Sequence, residues 1–175
     1  LKDRVLSHER AGSALILDAG GRVVLPGFVD SHSHPVFVGP RLEDFERRLQ
    51  GQGYAEIAAA GGGILSTVSG VRGSTQAQLA DGLAQRAALF LQSGTTTLEA
   101  KSGYGLDLDS ELKMLRAIRD VAARTPLELV PTFIGAHALP AEMRGRQDEY
   151  VRRVCEEMIP AVARASVSAP RRWPA

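Results

Sequence analysis

The stretch Thr95 to Ile118, "TTTLEAKSGYGLDLDSELKMLRAI", decides the fold. It opens on "TTTLEA", rich in the β-branched threonine that suits a pleated strand. "KSGYGLD" follows as a loop. A helix starts near Asp109, with Leu112, Leu115, Ile118 and Val121 on one face, and Pro126 marks its end. On the C-terminal side the same order returns. "LELVPTFIGA" reads as a strand and "HALPAEMRGRQDE" as a loop. Tyr150 to about Ile159 reads as a helix carrying Val151, Val154, Cys155, Met158 and Ile159, which Pro160 ends or kinks.

On the N-terminal side, Thr75 can cap a helix with Gln78 as its capping-box partner. Leu79, Leu83, Ala87, Phe90 and Leu91 keep the helical period, and Gly94 stops it. Before that helix lies a long glycine-rich region, Val38 to Gly73, expected to be irregular apart from helices in "RLEDFERRL" and "YAEIAAA". A connection of that length inside a compact domain is usually functional. "GFVDSHSHPVF" reads as a buried strand, Phe28 to Ser31, running into polar residues. The opening runs "SALIL" and "RVVL", around the turn "DAGG", read as two short strands of a small β element.

Strand, loop and helix, three times over, imply a parallel sheet with right-handed crossovers. Function in such folds sits at the C-terminal ends of the strands. Here "DSHSH", "EAKSGYG" and "GAH" each follow a strand and deliver polar residues to one end of the sheet.

Composition narrows the possible functions. The chain has 175 residues, 44% hydrophobic and 23% charged, the balance of a soluble globular protein. A net charge of +1 makes no electrostatic case for nucleic acid or an anionic membrane. No apolar run approaches a membrane span, and the opening residues lack the pattern of a secretory leader, so a cytoplasmic location is expected. Cys155 is the only cysteine, which excludes an internal disulfide and a cysteine-based zinc site. Its helical setting reads as a small buried apolar residue.

His32 and His34 are the chemical signal. Residues two apart on a strand point to the same side, so two imidazoles can meet one ion. Imidazole suits zinc or iron. Asp30 before the pair and Pro35 after it, at the end of an apolar strand, set it apart from two histidines in a surface loop. A catalytic zinc usually takes three protein ligands and leaves a position open for water. His137, at the end of the third strand, can face the same cavity and bind either metal or substrate. His8 lies in a polar stretch and reads as solvated.

These residues lie in recognisable surroundings. "LPGFVDSHSHPVFVGPR" resembles the opening motif of the amidohydrolase superfamily. "YAEIAAAGGGILSTV", "SGTTTLEAKSGYGLDLDSELKMLR", "PTFIGAHALPAE" and "CEEMIPAV" are similar to the imidazolonepropionase family, over roughly residues 20 to 163. The resemblance implies a partial TIM-like (β/α)8 metal-dependent hydrolase barrel of about three βα units, preceded by a short piece of a β-sandwich. It divides the chain into a remnant of a small β domain (1–25), the N-terminal part of the barrel (26–163) and an atypical tail (164–175). The tail, "ARASVSAPRRWPA", departs from the family and is expected to reflect a frameshift or a truncation.

The resemblance also implies roles. His32 and His34 would bind one Zn2+ or Fe3+ per subunit. Arg41 would hold a substrate carboxylate, for which a planar guanidinium is suited. Tyr104 would line the substrate pocket. His137 would hydrogen-bond the substrate's ring carbonyl and act in catalysis. The implied reaction is hydrolysis of 4-imidazolone-5-propanoate to N-formimidoyl-L-glutamate by a metal-activated water, with a homodimer as the full-length state. The family's further metal ligands and acid–base residue fall on later strands. Three strands alone leave an open edge, which favours aggregation over activity.

Overall fold

The computed structural model describes residues 7–9 and 11–167. Three parallel strands form one sheet in the order β1 (Phe28–Ser33), β2 (Thr95–Lys101), β3 (Glu128–Thr132). Seven helices accompany them among the described residues: α1 (Leu42–Leu49), α2 (Tyr54–Ala59), α3 (Ile64–Gly73), α4 (Gln76–Gln92), α5 (Leu108–Ala122), α6 (Gln147–Arg153) and α7 (Ile159–Val167).

The helix signals are met in atomic detail. At the start of α4, Thr75 Oγ1 accepts the Gln78 N–H at 3.2 Å, and Gln78 Oε1 accepts the Thr75 N–H at 2.9 Å. Such a box satisfies donors that the first helical turn leaves without partners. Gly94 closes the helix with a positive φ of +87°, and a Cβ there would press on the Phe28 ring at 3.3 Å. Asp107 caps α5 by accepting the Ser110 N–H at 2.8 Å.

Alternation along β2 sorts its side chains to two faces. Leu98 and Ala100, with Leu129 of β3, face the helices and are buried. They pack with Leu79, Leu83 and Ala87 of α4 and with Met114, Ala117, Ile118 and Val121 of α5 in the main core. Each large aliphatic side chain so buried contributes about 1.5–3 kcal/mol. The opposite face carries Thr97, Glu99 and Lys101 beside Glu128, Val130 and Thr132. A second cluster, Met143, Tyr150, Val154 and Met158, packs with Phe133 just beyond β3.

Several expectations are corrected. "SALIL" and "RVVL" form no strand among the described residues: Leu15, Ile16, Leu17, Val23 and Val24 lie exposed, because a strand requires a neighbour to pair with and none is supplied. The intervening turn does form, with the Arg22 N–H on the Ala19 carbonyl at 3.1 Å. The first strand runs on to Ser33 and is not buried, since β1 lies at the sheet edge with Phe28 61% and Val29 69% exposed. The region 38–73 is less irregular than expected: "ILSTVSGVRG" is the helix α3, whose Thr67, Val68 and Val71 are buried.

On α5 the fully buried stripe is Ser110, Glu111, Met114, Ala117, Ile118 and Val121, and Leu112 and Leu115 are only half-buried. The last helix starts at Gln147, and its buried stripe is Tyr150, Val154 and Met158. Val151, Cys155 and Ile159 are exposed, so the cysteine is not a core residue. Pro160 does not end the helix. A π-helical turn, Val154–Met158, directly precedes it and opens the ladder where proline has no N–H to give. Of the expected tail 164–175, α7 takes in residues up to Val167 and the remainder lies outside the described residues.

Candidate active site

The five side chains singled out from the sequence come together at one end of the sheet. Asp30 shapes the end of β1: its Oδ1 accepts the His32 N–H at 3.0 Å and its Oδ2 the Ser33 hydroxyl at 2.8 Å. The strand register shifts there. His32 and His34 then stand edge to face, ring centroids 5.7 Å apart. His137 lies 4.4 Å and Tyr104 5.2 Å from His34, and His137 and Tyr104 are 5.7 Å apart. The Arg41 guanidinium sits 5.8 Å from the Tyr104 ring centre.

His34 and Arg41 are each placed by a partner distant in sequence. His34 Nδ1 lies 2.8 Å from the Ser102 carbonyl, which can only accept, so Nδ1 carries the proton. Arg41 Nε donates to Thr67 Oγ1 at 2.8 Å, an anchor supplied by α3. His137 is not at the strand end itself. It closes a 3-10 turn, Gly135–His137, reached after β3 by the Phe133–Ile134 link, and that detour turns its ring toward His34.

Fit to a metal can be tested on His34. With Nδ1 donating to a backbone carbonyl, Nε2 keeps its lone pair. It is buried without a hydrogen-bond partner. Metal-binding histidines hold their other ring nitrogen in just this way. Two imidazoles on one tetrahedral ion, with Zn–N of about 2.0–2.1 Å, stand with ring centres roughly 5 Å apart. The 5.7 Å spacing of His32 and His34 is close to that. Among the described residues no three His, Cys, Asp or Glu side chains form a complete ligand group. The residues fit one side of a metal's coordination shell.

Burial favours the neutral form of His34 and His137. Burial pushes His34 below its ordinary value of 6.5, partly opposed by the Ser102 bond and assisted by His137, His32 and Lys101. Burial also lowers His137, while Glu111 pulls it the other way. A neutral imidazole is the form that binds metal or accepts a proton.

Glu99, Lys101, Glu111 and the Tyr150 hydroxyl were not anticipated as contributors. Glu99 and Lys101 pair at 2.7 Å on the polar face of β2, and Thr132 donates to the same carboxylate at 2.9 Å. These bonds hold Glu99 below the usual carboxylate range. Glu111 is fully buried, and its carboxylate accepts the N–H groups of Gly103, Gly105 and Leu106. The Tyr150 hydroxyl donates to the Gly135 carbonyl at 2.7 Å and lies 3.2 Å from that of Leu106; burial pushes its pKa up to about 12. Alternation through "TTTLEAK" could have flagged Glu99 and Lys101. Glu111 was detectable as a carboxylate in helical register with Met114, Ile118 and Val121.

No protein-family model matches the chain. Among curated proteins it is 54% identical over 153 residues to the imidazolonepropionase of Solibacter usitatus, covering 87% of this chain and 37% of that protein. It is 54% identical over 164 residues to that of Symbiobacterium thermophilum, covering 93% of this chain and 38% of that protein. The identity to that of Myxococcus xanthus is 52% over 153 residues, 87% of this chain and 36% of that protein. The chain therefore spans well under half the length of the curated relatives it matches.

Proposed function

We propose that the chain, which is similar over most of its length to the N-terminal portion of imidazolonepropionases, forms part of an enzyme that hydrolyses 4-imidazolone-5-propanoate to N-formimidoyl-L-glutamate in histidine degradation. The observation that carries this reading is the convergence of His32, His34, Arg41, Tyr104 and His137 on one end of the sheet. The three-stranded parallel sheet is taken as the opening of a (β/α)8 barrel, whose sites lie at the C-terminal ends of the strands. Residues 26–163 supply that part, 1–25 the remnant of a small β domain and 164–175 the atypical tail. The intact enzyme is read as a cytoplasmic homodimer with no nucleic-acid partner. Among the described residues no helix is long and apolar enough to cross a membrane.

His32 and His34 would hold a Zn2+ or Fe3+ ion, with the remaining ligands outside the described residues. Such an ion, when bound, supplies Lewis-acid chemistry for activating water. The chain's own residues do the rest. Arg41, fixed by its Nε edge to Thr67, offers its guanidinium to the propanoate. Tyr104 stands beside both His34 and Arg41 and would line the substrate's position. His137 would offer a ring nitrogen to the ring carbonyl, where a hydrogen bond would stabilise the charge that grows on oxygen.

The test is a hydrolysis assay on the 175-residue chain and on the same chain joined in frame to the remainder of the Symbiobacterium protein. Turnover is expected only in the joined protein. A folded, metal-loaded joined protein that leaves the imidazolone untouched would sink the reading. In the joined protein, His34→Ala is expected to weaken Co2+ binding by more than about 100-fold, beyond the loss typical of an outer-shell partner. Cobalt absorption spectra read it directly.

A further inference from the structure

The loop that carries Tyr104 contains no regular structure, yet it is among the most buried segments of the chain. Lys101, Ser102, Gly105 and Leu106 are all buried. Leu106 takes a positive φ of 57°, a conformation that costs a non-glycine residue free energy and persists only where the surroundings impose it. Gly103, at φ +96°, lies so close to the next turn that a Cβ would come within 2.9 Å of the His137 Cβ and 3.0 Å of the Ile134 carbonyl. A backbone this crowded and strained needs something to hold it.

Glu111 does so. Its side chain is 0% exposed and makes no ion pair among the described residues. One oxygen accepts the Gly103 N–H at 3.0 Å. The other accepts those of Gly105 at 2.8 Å and Leu106 at 2.9 Å. The three donors flank Tyr104 on both sides. A buried carboxylate is stable only when donors surround it, and three backbone N–H groups meet that need. The Tyr150 hydroxyl donates to the Gly135 carbonyl at 2.7 Å and lies 3.2 Å from the Leu106 carbonyl, between the loop and the His137 turn. The carboxylate therefore holds the Tyr104 loop, and the phenol ties that loop to the turn bearing His137.

From this geometry we infer that Glu111 is a positioning residue: it touches no substrate, but by gripping both flanks of Tyr104 it sets where the Tyr104 ring stands against His34 and His137 at the strand ends. The functional half of the inference rests on the reading of Tyr104 as a substrate contact. Glutamine at this position keeps the size but replaces one acceptor oxygen with a donor, opposing the loop amides. Aspartate keeps the charge but is one methylene too short to reach all three.

The test is NMR on the 175-residue chain, wild type against Glu111→Gln and Glu111→Asp. In the wild type the amides of Gly103, Gly105 and Leu106 should exchange slowly, and cross-peaks should link the Tyr104 and His137 rings. In Glu111→Gln the three amides should exchange roughly 10- to 100-fold faster relative to α5, the range expected for losing a hydrogen bond to a charged group. The ring cross-peaks should fade while those across the sheet persist. Glu111→Asp should not restore them. A stabilising role alone would lower the melting temperature and leave the Tyr104–His137 cross-peaks intact, and that result overturns the inference. If the glutamine variant fails to fold, fast exchange of the three amides in the wild type overturns it equally. Imidazole-4-propanoate serves as the ligand probe, with at least tenfold weaker binding expected in Glu111→Gln. Failure of the wild type to bind the probe would count against the imidazolone reading, and the ring cross-peaks would still decide the role of Glu111.

Discussion

The two faces of the sheet are built from alternate residues of the same strands, yet they are held in different ways. On one face Leu98, Ala100 and Leu129 are sealed under α4 and α5. On the other, Glu99, Lys101 and Thr132 are tied by an ion pair and a hydroxyl bond, while Val130 remains 44% exposed. The covered face supplies the cohesion, because burial of apolar area is the main favourable term in folding. The polar face supplies little of it, because charges near water gain little from pairing. Chemistry gathers at the edge of that second face, where the strand ends release His32, His34 and the loops bearing Tyr104 and His137. The division lets the site be polar without weakening the core.

Substitutions can break or sharpen this contrast. The largest effect is expected from Leu98→Ala on the covered face. Leu98 is fully buried, so its truncation should cost about 2–5 kcal/mol in urea unfolding. A cost below about 1 kcal/mol would mean that the helices do not seal that face. Next comes Thr75→Ala, which removes the cap of α4 and should cost about 1 kcal/mol. Thr75→Ser should recover most of it. An unchanged midpoint in Thr75→Ala would show that α4 is held by packing alone.

The response to pH probes the site end of the sheet. His34 and His137 are both depressed below 6.5 in the folded state, chiefly by burial. Above 6.5 the folded and unfolded forms are alike neutral, and no stability depends on these groups. As pH falls through 6.5 the unfolded chain takes up protons that the folded chain resists, so stability drops and continues to drop until the lower folded values are passed. The metal-free chain should therefore have a lower urea midpoint at pH 5.5 than at pH 7.5, and His34→Asn should shrink the difference. An equal difference in wild type and variant would remove His34 from the account. The smallest effect is expected at Val130→Ser on the open face, within about 0.5 kcal/mol, as for other surface positions. A loss there comparable to that of Leu98→Ala would erase the distinction between the faces.

Much of the fold was legible because its signals are local. The threonine-rich strand, the Thr75–Gln78 box and the stop at Gly94 each depend on residues within a few positions of one another. The His32–His34 pair was legible for the same reason. Helix α3 was missed because "ILSTVSGVRG" mixes glycine and β-branched residues that disfavour helix on their own, and packing of Thr67, Val68 and Val71 overrides them. The opposite error occurred at "SALIL" and "RVVL", whose composition suits strands, but composition supplies no partner. On the last helix the apolar positions were right in part: Val154 and Met158 are buried, whereas Val151, Cys155 and Ile159 are exposed. Tyr150 is buried with Val154 and Met158 because its hydroxyl finds two carbonyls there.

The sequence by itself determined the alternation of strand, loop and helix, the caps that bound α4, and the side-chain types delivered to the strand ends. All of these follow from periodicity and short-range hydrogen bonding. Only the tertiary structure decided how those side chains are set. The proton on His34 is fixed by a carbonyl 68 residues away, and Arg41 is anchored by a hydroxyl 26 residues away. Glu111 lies only 5, 6 and 8 residues from its three N–H partners, yet its register on α5 marks only burial; the turn of the Tyr104 loop is what aims those groups at one carboxylate. The pairing energy of a buried polar group depends on which partners the fold brings within about 3 Å, and that cannot be read from neighbours along the chain.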